Sequence, residues 1–366
     1  MTDHYDDTTL IPGLEELVFD IPFDGPTSKP VSTFYTAPDI ELSDYSRIIV
    51  CMSGGKDSLA CLLHLLEVGV DKNIIELWHH DVDGREGSHL MDWIFMAEYN
   101  QRIADEFDVP LYFSWLKDGF EGELLKEDSI SQPHIFESPT GVIALERDAS
   151  RSKPGTRRRF PQVAASLRTR WCSSVLKIDV ARRALNNQER FNHKRTLFIT
   201  GERREESSNR ARYNQLEPHF CDRRDGRLAR HVDAWRPVLH WSEEDVWACL
   251  ERHRVIAPVP YRLGWGRSSC MGCIFNDDRI WATIGKYFPE RLESVSRYEG
   301  EFGVTISRSK RSVKQRAQGA APLPITDLEA LQQAMSHQYT LPVVLEPRDE
   351  WRLPAGAFTK HGCGAN

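Results

Sequence analysis

The segment from Arg47 to Val68 (RIIVCMSGGKDSLACLLHLLEV) constrains the fold more than any other part of the chain. Its uninterrupted apolar run, Ile48 to Met52, is typical of a strand buried on both faces of a parallel sheet. Residues 53–55 (Ser-Gly-Gly) interrupt the strand, and an apolar helix follows. Glycines let the backbone approach a ligand closely, and the amides and dipole of a helix N-terminus favour an anion. The segment therefore predicts a strand–turn–helix unit that binds an anionic ligand.

The spacing of SGGKDS differs from two common phosphate-binding motifs. It matches neither GxxxxGK[ST] nor GxGxxG. It resembles instead the PP-loop of the ATP pyrophosphatase superfamily, whose members bind ATP and cleave it between the α and β phosphates. The alternative is an ordinary turn that contains two glycines.

Composition limits the class of protein. The formal net charge of −7 gives no reason to expect attraction of the whole protein to nucleic acid. No apolar run approaches the length of a membrane span, and the acidic N-terminus lacks a signal-peptide pattern, so we expect a cytoplasmic protein without a membrane partner. In that compartment the eight cysteines are expected to be thiols, metal ligands or redox groups rather than disulfides.

Alternating strands and helices follow the first unit. The predicted strands are Ile74 to Trp78, Leu111 to Trp115 and Thr196 to Gly201, and Leu90 to Phe107 is a predicted amphipathic helix. This alternation predicts an α/β fold with a doubly wound, mostly parallel sheet. Ligands of such sheets lie beyond the carboxyl ends of the strands. Asp81 falls at that edge, where it either holds a ribose or a metal or caps the following turn.

We expect three regions along the chain. Residues 1–45 form an N-terminal extension, residues 46–290 a nucleotide-binding domain, and residues 291–366 a smaller helical and basic C-terminal part. The segment Lys117 to Arg170 is predicted to be long and poor in strands. Its second half, Arg151 to Arg170, has seven Lys or Arg residues and no acid. It is either a solvated basic surface or a groove for a polyanion such as nucleic acid.

An arginine pair, Arg203 and Arg204, follows the strand that ends at Gly201. Adjacent guanidinium groups at the carboxyl end of a strand suit bidentate contacts to phosphate. A structural salt-bridge pair is the alternative.

Five segments in this order resemble the phosphoadenosine phosphosulfate (PAPS) reductase-like family: SGGKDS, RWCSSVLK, GERREESSNR, RPVLHWSEEDVW and YRLGWGRSSCMGCIF. The resemblance covers roughly residues 46–290 and implies an adenine nucleotide α-hydrolase-like fold. It implies that the phosphates or their magnesium are contacted by Ser53, Gly54, Gly55, Asp57 and Ser58. Further candidate nucleotide-binding residues are Lys56, Asp81 and Gly201. The remaining anionic groups would be held by Lys177, Arg203 and Arg204, and catalysis would depend on these three with Lys56 and Asp57.

Departures from the family pattern favour its ATP-cleaving members, such as the DNA phosphorothioation protein DndC. Iron–sulfur reductases of the family carry two adjacent cysteines where this chain has only Cys172. Reductases without a cluster use a tail cysteine, and Cys363 shares only Cys-Gly with that pattern. A reductase that uses Cys363 as its nucleophile is the alternative.

Cys270 and Cys273 form a CxxC turn, whose thiolates suit zinc, copper(I) or an iron–sulfur cluster. The resemblance brings Cys172 to the same place, which gives three ligands. A fourth ligand would be Cys221 or Cys363, or the fourth iron of a cluster would stay open to bind sulfide or substrate. We expect a four-iron cluster, with zinc or metal-free thiols as the alternatives. Three other cysteines are predicted to be small buried hydrophobic residues: Cys51, Cys61 and Cys249.

The leading hypothesis is an enzyme that adenylylates a substrate with ATP and Mg²⁺ and then supports sulfur transfer. The expected partners are an adenine nucleotide and a sulfur-donor protein, with nucleic acid as a candidate acceptor and a second copy of the chain as a candidate partner. A nucleotide-sensing subunit without turnover is a third hypothesis.

Overall fold

The computed structural model describes residues 40–361, apart from Ala165 and Leu228. The strands are β1 (Arg47–Cys51), β2 (Ile75–Asp81), β3 (Leu111–Leu116), β4 (His134–Ser138), β5 (Gly141–Leu145), β6 (Arg195–Ile199), β7 (Leu216–Pro218) and β8 (His231–Trp235). The α-helices are α1 (Lys56–Glu67), α2 (Met96–Phe107), α3 (Gly119–Leu125), α4 (Trp171–Ser173), α5 (Asp179–Asn186), α6 (Glu243–Arg252), α7 (Val259–Arg262), α8 (Asp278–Tyr287), α9 (Pro289–Phe302), α10 (Val313–Gln318) and α11 (Leu328–Ala334). A π-helical turn, Ser174–Ile178, joins α4 to α5.

The eight strands form one sheet in the order β5-β4-β3-β2-β1-β6-β8-β7. The five central strands, from β3 to β8, are parallel, and β4, β5 and β7 pair antiparallel at the two edges. β1 lies between β2 and β6, with Ile48 opposite Ile75 and Val50 opposite Ile199. The predicted doubly wound, mostly parallel sheet is therefore confirmed.

The central strand is buried on both faces, as its apolar run indicates. Ile48 and Val50 pack in the larger hydrophobic core, and Ile49 packs in a second core on the opposite face of the sheet. Because successive side chains of a strand point to opposite faces, both faces of β1 need apolar residues. This arrangement leaves only the ends of the strand for polar function.

Two sequence-based boundaries differ from the structure. The helix predicted from Leu90 begins at Met96, because the amides of Met91 and Asp92 donate to the Asp83 carboxylate instead of entering a helix. The segment Lys117 to Arg170 was predicted to be poor in strands, and this was wrong. It contains α3 and the β4–β5 hairpin, which extends the sheet.

The C-terminal part is helical, as predicted, and packs onto the larger core. Val295, Val313 and Tyr339 belong to the same buried cluster as Ile48. The predicted division at residue 290 therefore does not coincide with a break in the core and stays a prediction. Most of the predicted extension 1–45 lies outside the described residues, although the Tyr45 hydroxyl is buried and donates to Asp233 at 2.8 Å.

Helix α6 begins with a reciprocal cap at Ser242. The Ser242 hydroxyl accepts from the amide of Asp245, and the Asp245 carboxylate accepts from the amide of Ser242. No helix in the described part of the chain has the length and apolar character needed to cross a membrane.

Candidate active site

The glycine turn joins β1 to α1 at the carboxyl edge of the sheet. Gly54 has a φ of +74°, and a Cβ atom there would lie 2.3 Å from the Met96 sulfur. The backbone conformation therefore disfavours a side chain here, and the Met96 side chain would also have to move to make room for one. Gly55 caps α1 without a side-chain hydrogen bond, and the amide of Lys56 donates to the Tyr261 hydroxyl at 3.3 Å. The first turn of α1 has no side-chain cap of its own, which suits an anionic ligand.

The two serines of the turn have different surroundings. Ser58 is buried, and its hydroxyl donates to the Gly55 carbonyl at 2.9 Å and accepts from the amide of Ser53 at 3.3 Å. Ser53 is exposed, with its hydroxyl 3.2 Å from that of Ser58. Ser58 therefore braces the turn, and Ser53 is the serine that can reach a ligand.

Lys56 is directed into the protein rather than toward the edge of the sheet. It is only 4% exposed, and its ammonium group lies 5.4 Å from the Tyr261 ring centroid and 5.9 Å from that of Trp247. Its carboxylate neighbours are Asp57 at 3.4 Å and Glu243 at 3.8 Å. These contacts place the Lys56 charge in a buried network below the glycine turn.

Asp57 and Arg203 form the centre of this network. The Arg203 Nε donates to Asp57 Oδ1 at 2.6 Å, and Arg203, which is 2% exposed, also pairs with Glu205. Burial raises the pKa of Asp57, but the charges of Lys56 and Arg203 outweigh burial and hold the pKa below its usual value. Arg203 thus forms a structural salt bridge, which was the alternative to a phosphate contact in the sequence analysis.

Arg204 diverges from its neighbour. Its Nε donates to His240 Nδ1 at 3.3 Å, and its guanidinium also donates to the Ala211 carbonyl. The two arginines therefore do not form one forked phosphate clamp in this structure.

Gly201 packs against the start of α1 rather than lining an open site. A Cβ atom there would lie 2.9 Å from the carbonyl carbon and oxygen of Asp57 and 3.2 Å from the amide nitrogen of Ser58. The absence of a side chain lets the end of β6 approach the glycine turn closely. Gly201 thus fixes the position of the turn.

Acidic side chains follow β2 at the same edge. Asp81 accepts a hydrogen bond from the backbone of Asp83, which is the capping role predicted as one of its two alternatives. Burial, with the neighbouring Asp92 and Asp83 charges, raises the pKa of Asp81 to about 8. Burial and Asp92 likewise raise the pKa of Asp83 to about 7. A cation bound here would favour the charged carboxylates.

Lys177 lies in the π-helical turn, five residues after Cys172. The i to i+5 hydrogen bonding of a π-helix brings residues five apart onto neighbouring positions, and such turns are frequent at functional sites. Desolvation lowers the pKa of Lys177, but Cys270, Asp92, Cys172 and Cys273 outweigh it and raise the pKa. These four side chains therefore lie near enough for their charges to act on the Lys177 ammonium group.

The CxxC loop contacts both the glycine turn and the segment after β2. Ser268 Cβ would lie 3.7 Å from a Cβ atom at Gly55. The amide of Gly272 donates to the Met91 carbonyl at 2.9 Å, and the Cys273 amide closes the turn on the Cys270 carbonyl at 3.1 Å. The cysteine turn and the predicted phosphate turn are thus neighbours.

The thiols of this site are not activated as nucleophiles. Burial, with the nearby Cys273, raises the pKa of Cys172 to about 11, although Lys177 and Arg170 oppose the rise. Burial and Asp92 also raise the pKa of Cys270. A bound metal would reverse this, because metal binding deprotonates cysteine.

Cys221 lies elsewhere. It is buried in the second core with Ile49 and Trp78, on the face of the sheet opposite to the core against which Cys172, Cys270 and Cys273 pack. The expectation that Cys221 completes the cysteine site is therefore corrected. Cys363, the other candidate for a fourth ligand, lies outside the described residues.

The spacing of the three cysteines bears on the kind of metal. Within residues 40–361, leaving out Ala165 and Leu228, only Glu67, Cys249 and His253 bring three ligand atoms within 4.8 Å of one another. That group already pairs internally and with Arg252, and Cys249 is fully buried, as predicted. The cysteine trio consequently lacks the preformed spacing of a single zinc ion. An iron–sulfur cluster does not require that spacing, because its ligands bind different iron atoms and lie farther apart.

Several cations of the basic segments form ion pairs with carboxylates. Arg157 pairs with Glu123 at 2.6 Å and Arg158 with Glu301 at 2.6 Å. In the second basic segment, Thr305 to Gln318, three cations are paired with carboxylates: Arg311, Lys314 and Arg316. This pairing favours a structural role over a groove for a polyanion.

Residues 147–276 match the phosphoadenosine phosphosulfate reductase domain family. The matched segment contains Cys172, Lys177, Arg203, Cys270 and Cys273, and the glycine turn precedes it. The sequence did not indicate Asp83, Asp92 or Tyr261 as parts of the site. Asp92 was missed because it fell inside the helix predicted from Leu90.

Similar proteins include the "Uncharacterized 37.8 kDa protein in gpa 5'region" of Escherichia phage 186. It is 27% identical over 268 residues, which are 69% of this chain and 74% of the phage protein. Two crystal structures of Candida glabrata FMN adenylyltransferase are 13% identical to the chain. The first has a TM-score of 0.28 and covers 69% of this chain and 57% of that protein, which is less than two thirds of its length. The second, in complex with FAD and inorganic pyrophosphate, has a TM-score of 0.31 and covers 82% and 78%.

Proposed function

We propose that this protein is a PP-loop enzyme that uses ATP to adenylylate a substrate and supports sulfur transfer. The observation that carries the proposal is the meeting of three features at one edge of the sheet. The glycine turn has an uncapped helix start, the CxxC loop contacts that turn, and Lys177 lies among the cysteines. The match to the PAPS reductase domain supports the same chemistry.

The nucleotide would bind with its phosphates on the glycine turn. Ser53 and the first amides of α1 are the groups that can reach them. Lys177, in the π-helical turn beside the cysteines, would supply a cation. Asp81 and Asp83 would provide carboxylate oxygens for Mg²⁺, which prefers oxygen ligands and phosphates. The glycine turn would be held in place by the buried network of Lys56, Asp57 and Arg203.

In the proposed reaction, a substrate oxygen attacks the α phosphorus of ATP. The bond from that phosphorus to the bridging oxygen breaks, and pyrophosphate leaves with the electron pair. Magnesium and Lys177 would neutralise the departing charge. A sulfur nucleophile then displaces AMP, which carries away the substrate oxygen. The cysteine site would bind an iron–sulfur cluster through Cys172, Cys270 and Cys273, and the cluster would present sulfur for this transfer.

More specifically, we propose a DndC-like enzyme that takes sulfur from a donor protein. Nucleic acid is a candidate acceptor, although the ion pairing of the two basic segments gives it little support.

The test compares ATP affinity and pyrophosphate release in the wild type, Lys177→Met and a control, Lys72→Met. Lys72 is exposed at the amino end of β2, at the opposite edge of the sheet. Loss of a charged hydrogen bond to phosphate costs about 1.5–3 kcal/mol, so Lys177→Met should weaken binding or turnover about ten-fold or more. Lys72→Met should match the wild type. Wild-type protein that neither binds ATP nor releases pyrophosphate would refute the proposal.

The alternatives have distinct products. A reductase that uses Cys363 would form sulfite in a thioredoxin-dependent reaction. A nucleotide-sensing subunit would bind a partner in response to ATP and release neither product.

A further inference from the structure

Asp92 is held between two hydrogen bonds to the cysteine loop. Its preceding residue, Met91, accepts from the amide of Gly272 at 2.9 Å. Its following residue, Trp93, donates through the indole nitrogen to the Ser269 carbonyl at 2.9 Å. The Asp92 backbone therefore keeps a fixed position beside the CxxC turn.

Only one of the two Asp92 carboxylate oxygens accepts a hydrogen bond within the described ranges. Its amide donates to Asp83 Oδ2 at 2.7 Å, and Oδ1 accepts from the amide of Trp93 at 2.8 Å. Arg291 donates to its carbonyl at 3.2 Å. Within the described ranges, no hydrogen bond reaches Asp92 Oδ2. Supporting groups thus orient the residue and leave one carboxylate oxygen for another partner, as is usual around metal ligands.

The Asp92 charge acts on the cysteine site. Asp92 is the strongest charged influence on Cys270, ahead of Lys177 and Cys273. It also acts on Lys177 together with Cys172, Cys270 and Cys273. The charges of three thiols and one carboxylate therefore act on the same ammonium group, and Cys221 is not among them.

We infer that Asp92 is the fourth protein ligand of an iron–sulfur cluster held by Cys172, Cys270 and Cys273. This inference rests on the proposed sulfur-transfer function and gives its cysteine site a Cys₃Asp ligand set. Carboxylates are hard ligands and bind iron of a cluster less firmly than soft thiolates do. The iron bound by Asp92 would consequently be the exchangeable one, where sulfide or a substrate could bind.

The test uses the full chain reconstituted without oxygen from ferric iron, sulfide and a thiol reductant. Mössbauer spectra of ⁵⁷Fe-labelled wild type should show one of the four irons with an oxygen ligand and a higher isomer shift than the other three. Mild oxidation of the wild type should release that iron and give the EPR signal of a three-iron cluster.

Two variants and a control accompany the wild type. Asp92→Asn keeps the shape and should hold about three irons before any oxidation. Asp92→Cys should keep four irons under mild oxidation and lose the distinct Mössbauer signal. The control Asp105→Ala, at an exposed position on α2, should behave as the wild type.

The inference is overturned by a wild type without iron, by a wild type whose four irons are all sulfur-ligated, or by identical spectra in all the variants. ATP binding, measured on the same samples, reports on the proposed nucleotide site separately. Retained ATP binding with any of these outcomes would reject the Asp92 ligand and leave the nucleotide site standing.

Discussion

Asp57→Asn should destabilise the protein as well as alter its nucleotide site. The substitution keeps the shape of the side chain and removes one negative charge from a buried network. In the wild type, Asp57 lies 2.6 Å from Arg203 Nε and 3.4 Å from the Lys56 ammonium group. Both cations are almost fully buried, at 2% and 4% exposure. Without the Asp57 carboxylate, the two buried positive charges have fewer negative neighbours in a region of low dielectric constant.

The expected cost follows from this geometry. Removing one partner of a buried ion pair costs about 3–5 kcal/mol. Asp57 itself is 21% exposed, and each cation keeps a second carboxylate, Glu205 for Arg203 and Glu243 for Lys56. We therefore expect a loss at the lower end, about 3 kcal/mol of the free energy of unfolding.

Urea unfolding at several pH values provides the assay. The folded protein holds the pKa of Asp57 below its usual value. The ion pair thus stabilises the fold above the usual range of an aspartate, and its contribution is lost as the pH falls through the lowered value. The difference between the wild type and Asp57→Asn should be largest near neutral pH and should shrink in acid.

A surface substitution serves as the control. Asp105→Asn, on the exposed face of α2, should change the free energy of unfolding by no more than about 0.5 kcal/mol. If Asp57→Asn were as stable as this control at neutral pH, the network would not support the glycine turn. A difference that stays constant into acid would refute the assigned charge effect.

The remaining predictions concern packing, the cysteines and the arginine pair. Gly201→Ala should lower the free energy of unfolding by about 1–3 kcal/mol, because its Cβ would meet backbone atoms of α1. The control Gly300→Ala has open space around its Cβ and should be neutral or stabilising. Urea unfolding of the two variants measures the difference. Cys172→Ser should lose most of the iron of reconstituted protein, and Cys221→Ser should lose none, as iron analysis will show. Arg203→Lys should lower the unfolding midpoint, since lysine keeps the charge but cannot contact two carboxylates with a planar fork; an unchanged midpoint would contradict this.

The sequence by itself determined the central architecture. The apolar run at Ile48 to Met52, the glycines and the apolar helix that follows are local patterns, and local patterns set the type of element that forms. Strand–helix alternation then predicted the parallel sheet and placed the glycine turn and Asp81 at one edge. The same reasoning missed the β4–β5 hairpin, because a short edge hairpin carries a weak apolar signal between Gly- and Pro-rich stretches.

The tertiary structure alone decided what the charged side chains do. Arg203 appeared from the sequence as a phosphate contact, but its partner Asp57 lies 146 residues away along the chain. Cys221 and Cys270 are both cysteines in a thiol-rich chain, yet the sheet places them against different cores. Asp92 lies beside the CxxC loop because the Asp83 carboxylate binds the amides of Met91 and Asp92 and keeps them out of the helix. Each of these outcomes depends on contacts between distant segments, which the local sequence does not encode.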